Sequence, residues 1–128
     1  MRIGAAQIPV TTNVEDNLKN ILEACDWAVK NKLDYLLTPE CALSGYDTMS
    51  WNLNTCGPTE QAMEKLKEYS KNTGLGLAIG TLWIYDKDKQ GTGFGNGIHR
   101  NQLTFIQKGE IIGYVAKRNV AECDYMCE

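Results

Sequence analysis

Histidine is almost absent from this 128-residue chain, proline occurs three times, and there is no long hydrophobic run. Each shortage excludes something. The lone His99 stands between Ile98 and Arg100 in a strand-like segment, so a Cys–His or Ser–His–Asp relay has little to draw on. No apolar stretch approaches the roughly 20 residues that span a bilayer, and no membrane partner is expected. Met1–Gln7 lacks the apolar core of a signal peptide and reads as the start of the fold. The net charge is only −3, with Lys and Arg scattered among Asp and Glu, which argues against a nucleic-acid partner. Cys25, Cys41, Cys56, Cys123 and Cys127 are odd in number and irregularly spaced, unlike a disulfide framework. Free thiols and a cytoplasmic location are expected. Cys123-x-x-x-Cys127 with a distant histidine is a poor zinc pattern, and no metal is expected.

What is present suits one soluble domain spanning residues 1–128, since 43% hydrophobic and 23% charged residues are near globular averages. The order is strand, helix, strand, helix, then hairpin strands. Arg2–Ile8 suits a buried strand ended by Pro9. Val14, Leu18, Ile21, Leu22, Cys25, Ala28 and Val29 follow at helical spacing. Thr12 and Glu15 have capping-box spacing at the start of that helix. Leu33–Thr38 is a second strand, halted by Pro39, and a loop runs from about Ser44 to Pro58. Thr59 is placed to cap a second helix with Ala62, Met63, Leu66, Tyr69 and Thr73 inward and Gly74 as its stop. Leu75–Tyr85 is a strand, Asp86–Gln90 a polar turn, and Ile98–Gln107 and Glu110–Ala116 a hairpin closed at Lys108-Gly109. This is an α/β pattern with a mixed sheet and helices packed against it. Gly91-x-Gly93-x-Gly95-x-Gly97 leads into a strand and lacks phosphate-loop spacing, so it reads as a flexible connection. Trp27, Trp51 and Trp83 read as core or interface anchors.

The sharpest local feature is Thr38-Pro39-Glu40-Cys41-Ala42-Leu43-Ser44-Gly45-Tyr46. It sets a carboxylate at the carboxyl end of a buried strand, where open α/β sheets place their crevices. Desolvation beside Leu36, Leu37 and Pro39 would raise the Glu40 pKa, as a general base requires. The plainer alternative is a solvated strand-end glutamate paired with a lysine.

Pro39, Glu40, Leu43, Gly45 and Tyr46 fit the Pro-Glu-x-x-Leu-x-Gly-Tyr pattern that the nitrilase superfamily of carbon–nitrogen hydrolases carries around its catalytic glutamate. Ile3–Gln7 resembles that family's opening strand, and Asn17 stands where its first helix often has Asn. Gly95-Asn96 before a strand, then Gly109-Glu110-Ile111-Ile112-Gly113 and Lys117, is similar to the family's next segment. The resemblance covers essentially the whole chain. It departs at Tyr114-Val115-Ala116-Lys117, where the family commonly has Tyr-Arg-Lys. The spacing from Gly109 to Lys117 is kept.

The resemblance implies that Glu40 and Lys117 are catalytic, the first as base and the second as the cation facing the tetrahedral intermediate. Tyr46, Asn96 and Glu128 are accessory candidates, with Glu122 second to Glu128. The family's nucleophilic cysteine is expected beyond residue 128. Cys41, next to Glu40 on an extended segment, is expected to face away from it. The implied fold is part of a four-layer α-β-β-α sandwich with helices on one side of the sheet. The implied activity is amide hydrolysis without metal or organic cofactor, inert in this chain by itself. A small amide or nitrile is the implied substrate, and a second copy or a complementary half the implied partner. Two alternatives remain: a non-catalytic binding relative, and a glutaminase that supplies ammonia to a synthetase.

Overall fold

The structure, a computed structural model, describes residues 1–46, 53–90 and 96–118, with the side chains of 53–56, 84–90 and 96–99 left aside. Glu122, Glu128, Trp51, Cys123, Cys127, the Cys56 side chain and the run 91–95 therefore lie outside the described residues, as do the side chains of Asn96 and His99.

Seven elements follow one another: β1 (Ile3–Ala5), α1 (Val14–Lys30), β2 (Tyr35–Leu37), α2 (Leu53–Thr73), β3 (Gly76–Gln90), β4 (Asn96–Gln107) and β5 (Glu110–Ala116). Among the described residues they form one sheet in the order β1-β2-β3-β4-β5. β1, β2 and β3 are parallel, because a helix carries the chain back between them. β3, β4 and β5 are antiparallel. The β4–β5 turn is the expected one, with Lys108 and Gly109 at φ 52° and 86°.

Helix α1 forms because apolar residues recur every three or four positions. Val14, Leu18, Ile21, Cys25 and Ala28 are buried along one face, while Val29 falls off that stripe. The cap is Asn13 in place of the expected Thr12–Glu15 box. Its Oδ1 accepts from the amides of Glu15 (2.8 Å) and Asp16 (3.1 Å). With the helix starting at Val14, Glu15 arrives one position too early to close the box.

Helix α2 also differs from expectation. It starts at Leu53 and holds Pro58 in its interior, so Thr59 is a buried helical residue and not a cap. A proline removes its own donor and hinders the helix, but nearby packing of Ala62, Met63 and Leu66 secures the segment. Thr73 is exposed and bonds back to the Tyr69 carbonyl at 2.8 Å. The strand expected to end at Tyr85 runs to Gln90, pairing with β4 through register shifts near Ile84, Asp86 and Gln90.

Alternation sorts the sheet into two faces. Leu36, Leu77, Ile79 and Ile106 meet Ile21, Cys25, Met63 and Leu66 of the helices in one core. Each such side chain, fully buried, stabilises the fold by roughly 1.5–3 kcal/mol. Burial among apolar neighbours pushes the Cys25 thiol up to about 12, with Asp26 adding to the effect, so Cys25 is a core residue and not a nucleophile. The opposite face carries Ile3, Leu37 and Val115, which are 62%, 38% and 58% exposed. Met1, Ile3, Leu37, Ala78, Leu103 and Phe105 line an apolar groove along it. Trp27 is 59% exposed on α1 and is not part of the core, whereas Trp83 packs against it.

Candidate active site

The site begins with the end of β2. Thr38 continues the sheet through its amide to the Ala78 carbonyl (2.9 Å), and its hydroxyl accepts from the Gly80 amide (2.9 Å). The chain then turns sharply. Ala42 N donates to the Pro39 carbonyl (3.3 Å) and Gly45 N to the Cys41 carbonyl (2.8 Å). Leu43 N donates to Gly80 O (3.1 Å), and the Ser44 hydroxyl accepts from Leu82 N (2.9 Å), which pins the turn along β3. Gly45 has φ 82°, and a Cβ there would stand 2.3 Å from the Thr11 carbonyl oxygen, so a side chain is excluded twice over.

From the other side the turn is held by Asn17, which is fully buried. Its Nδ2 donates to Leu43 O (3.2 Å) and Thr11 O (2.8 Å), and its Oδ1 accepts from Thr11 N (2.8 Å). One carboxamide thereby ties the loop after β1 to the turn that presents Glu40.

Glu40 receives three donors. Asn101 Nδ2 (2.6 Å) and Lys117 Nζ (2.9 Å) reach Oε1, and the Tyr46 hydroxyl reaches Oε2 at 2.6 Å. Lys117 follows β5 directly and is placed by its own amide, which donates to the Asn101 carbonyl at 2.9 Å. Glu40, Asn101 and Lys117 border an open cleft with Gly80, Leu103 and Val115. The cleft lies on the sheet face that the helices leave uncovered.

The electrostatics reverse one expectation. Burial does not raise the Glu40 pKa. Hydrogen bonds from Tyr46 and then Lys117 hold it below the ordinary 4.5, outweighing desolvation, with Asn101 helping. The same contact acts on its partner: burial and the neighbouring carboxylate push the Tyr46 phenol upward. Glu40 is 40% exposed at its side chain and Lys117 31%, so the pair is partly open to solvent. The glutamate stands at the strand end expected of a base, and it is also paired with a lysine.

A pH dependence follows. Unfolded, Glu40 binds its proton more readily than it does folded, so its contribution to stability is full above about pH 4.5. It disappears as pH falls through the lower folded value. Thermal unfolding of the wild type and Glu40→Gln should differ most at neutral pH and converge as the pH falls through that lowered value. A gap that is unchanged on acidification would contradict the pairing.

Cys41 stays out of the cleft lining, but it sits in a turn and not on an extended segment. The turn sets its φ at 51°, so the alternation rule for extended chain does not apply. It is fully buried against Leu82, and its Sγ lies 3.7 Å from Asn101 Oδ1. Among the accessory candidates, Tyr46 reaches Glu40. Asn96 opposes Gln90 in the β3–β4 ladder, five residues before Asn101 on the same strand. Asn101 escaped the sequence reading. Its signal was an asparagine in mid-strand, where that residue is unfavourable unless its amide is used. Among the described residues no group of three or more His, Cys, Asp and Glu side chains is gathered as a metal would need. No described helix is long and apolar enough to cross a membrane.

The family model described as carbon–nitrogen hydrolase matches residues 2–126. The chain belongs to the carbon–nitrogen hydrolase family. Nitrilase homolog 2 of Dictyostelium discoideum is 26% identical over 123 residues, which is 96% of this chain and 36% of that protein. The chain thus spans about a third of the length of that curated relative. Among solved structures, a glutamine-dependent NAD(+) synthetase from Cytophaga hutchinsonii matches with a TM-score of 0.73 and 25% identity, over 95% of this chain and 20% of that one. An amidase from Nesterenkonia sp. matches with a TM-score of 0.72 and 18% identity, over 99% and 46% of the two chains. The C. elegans NitFhit protein gives 0.75 and 18%, over 93% and 28%. The last two likenesses show the carbon–nitrogen hydrolase fold, with its mixed sheet and helices.

Proposed function

We propose that this chain carries the base and the cation of an amide hydrolase. The observation behind this is the meeting of Glu40 and Lys117 at 2.9 Å, 77 residues apart, beside an open cleft. By the family resemblance the nucleophile is a cysteine thiol beyond residue 128; the described thiols of Cys25 and Cys41 are both buried. In the reaction Glu40 takes the thiol proton as sulfur bonds to the carbonyl carbon. Lys117 stabilises the negative charge that forms on oxygen. The C–N bond then breaks, and the amine leaves with the proton held by Glu40. Water, deprotonated by Glu40, next cleaves the thioester to release the acid and restore the thiol. A low pKa keeps Glu40 ionised and ready to accept at neutral pH.

The uncovered apolar face fits the same reading, because a second sheet laid on it with its own helices behind would complete a four-layer α-β-β-α sandwich, within one protomer or with a complementary half. The likeness to a glutamine-dependent NAD(+) synthetase makes glutamine the first amide to try. The test measures ammonia release from glutamine and simple amides. In the full product of the gene, Glu40→Gln should lower kcat by roughly 10²–10⁴-fold. Lys117→Met should lower it by about 10²–10³-fold. The 128 residues by themselves should release none. Release from them that Glu40→Gln abolishes would put the nucleophile inside the chain. Full turnover by Glu40→Gln would remove Glu40 as the base.

A further inference from the structure

The Glu40–Lys117 pair is partly exposed, and an ion pair of that kind holds its own geometry weakly, because two long side chains must be ordered for a small gain. Something stiffer has to fix it. Asn101 is 9% exposed, has a short side chain, and sits on β4 opposite Leu82 of β3. It touches both members of the pair by different groups. Its Nδ2 donates to Glu40 Oε1, and its main-chain carbonyl accepts from the Lys117 amide.

We infer that Asn101 is a positioning residue whose carboxamide, oriented by the Cys41 thiol, locks Glu40 with Oε1 on Lys117 and leaves Oε2 as the oxygen that exchanges the proton. This rests on reading Glu40 as the base.

Three points of chemistry carry it. An asparagine amide has a donor end and an acceptor end, and only the donor end can face a carboxylate. The Cys41 Sγ, 3.7 Å from Oδ1, meets the acceptor end with a weak S–H donor, and the reversed amide would turn Oδ1 against the Glu40 carboxylate. Cys41 is also the residue after Glu40, and it is fully buried. The turn that presents the base thus also fixes the group that orients it, closing a short ring through Glu40, Asn101 and Cys41. Within that ring Oε1 takes two donors. Among the described residues Oε2 takes only the Tyr46 hydroxyl, and so has room for one further proton.

The test is a titration of the Glu40 carboxyl carbon by NMR in ¹³C-labelled 128-residue protein. Among the described residues, the charged or titratable groups that face this carboxyl are Tyr46 and Lys117, with the Cys41 thiol behind Asn101. Asn101→Ala should move the Glu40 midpoint upward while the amide spectrum stays native. Asn101→Asp should move it further, because a like charge replaces a donor. Cys41→Ala should give a smaller rise and Cys41→Ser should restore the wild-type value. A Glu40 midpoint unmoved in Asn101→Ala would overturn the proposal. Should that variant unfold, Asn101→Ser carries the same test with a smaller loss of packing.

In a catalytically competent full chain, Asn101→Ala should also lower kcat by about tenfold or more through misplacement of the base, with KM little changed. The acid limb of its pH–rate profile should shift upward. Absence of any turnover in the wild type would count against the hydrolase reading, and the titration would still decide the role of Asn101.

Discussion

Gly80→Ala is expected to unfold at a markedly lower temperature than the wild type and to pull Glu40 away from Lys117. A Cβ at residue 80 would stand 2.0 Å from the Pro39 carbonyl oxygen, 2.9 Å from the Pro39 carbonyl carbon and 3.0 Å from the Glu40 Cα. All three are backbone atoms, so no side chain can swing aside. Relief requires the end of β2 to lift from β3. That movement strains the bond from the Gly80 amide to Thr38 Oγ1 and the bond from Leu43 N to the Gly80 carbonyl. Overpacking of this kind costs about 1–3 kcal/mol or more. For a domain of this size each kcal/mol is worth roughly 4 °C in Tm. Circular dichroism melting checks the stability, and the Glu40 titration checks the displacement. Gly113→Ala is the control, because a Cβ there meets nothing within 4 Å. It should change stability by no more than about 0.5 kcal/mol. A Gly80→Ala protein as stable as Gly113→Ala would show that the approach of Pro39 to β3 is not tight.

The second large effect is expected at Asn17. Asn17→Leu keeps the approximate volume but strands the Leu43 carbonyl and the Thr11 amide and carbonyl that the carboxamide now satisfies. A buried polar group left unpaired costs about 1–3 kcal/mol, and partial hydration at Thr11 softens the total to about 2–4 kcal/mol. Asn17→Asp retains the acceptor for Thr11 but loses both donations and buries a charge, so it should be no better. Urea unfolding at neutral pH measures the loss. Hydrogen exchange at the Leu43 and Gly45 amides should quicken, because the turn after Glu40 would lose its anchor on α1. Asn20→Ala, which removes one longer bond to the Pro9 carbonyl at 3.3 Å, should be nearly silent. A mild Asn17→Leu would mean that α1 does not hold the turn.

These positions also mark the limit of what the chain reveals when read in one dimension. Residue-by-residue patterning sufficed for α1, because Leu18, Ile21, Cys25 and Ala28 recur at the helical period and each needs only its own helix to be recognised. It also placed the β4–β5 hairpin, with β5 running from Glu110 to Ala116 as expected. β1 and β2 do end before Pro9 and Pro39, but taking Pro58 as the end of a loop failed. Pro58 lies inside α2, since packing over the whole helix outweighs one lost hydrogen bond. At residues 86–90, polar composition suggested a turn, but pairing with β4 extends the strand. The backbone at Cys41 was misread because its neighbours look extended in sequence, whereas bonds to β3 fold them into a turn.

By itself the sequence determined the alternation of strands and helices, the carboxylate at the end of β2 and the lysine after β5. Each depends on residues within a few positions of one another. Only the tertiary structure decided that Glu40 and Lys117 meet, that Asn101 joins them, and that the Glu40 pKa falls instead of rising. Those outcomes depend on contacts 61 and 77 residues apart, brought about by the register of β3, β4 and β5. A hydrogen-bond donor lowers a carboxyl pKa only when it is within about 3 Å, and no local pattern specifies that distance.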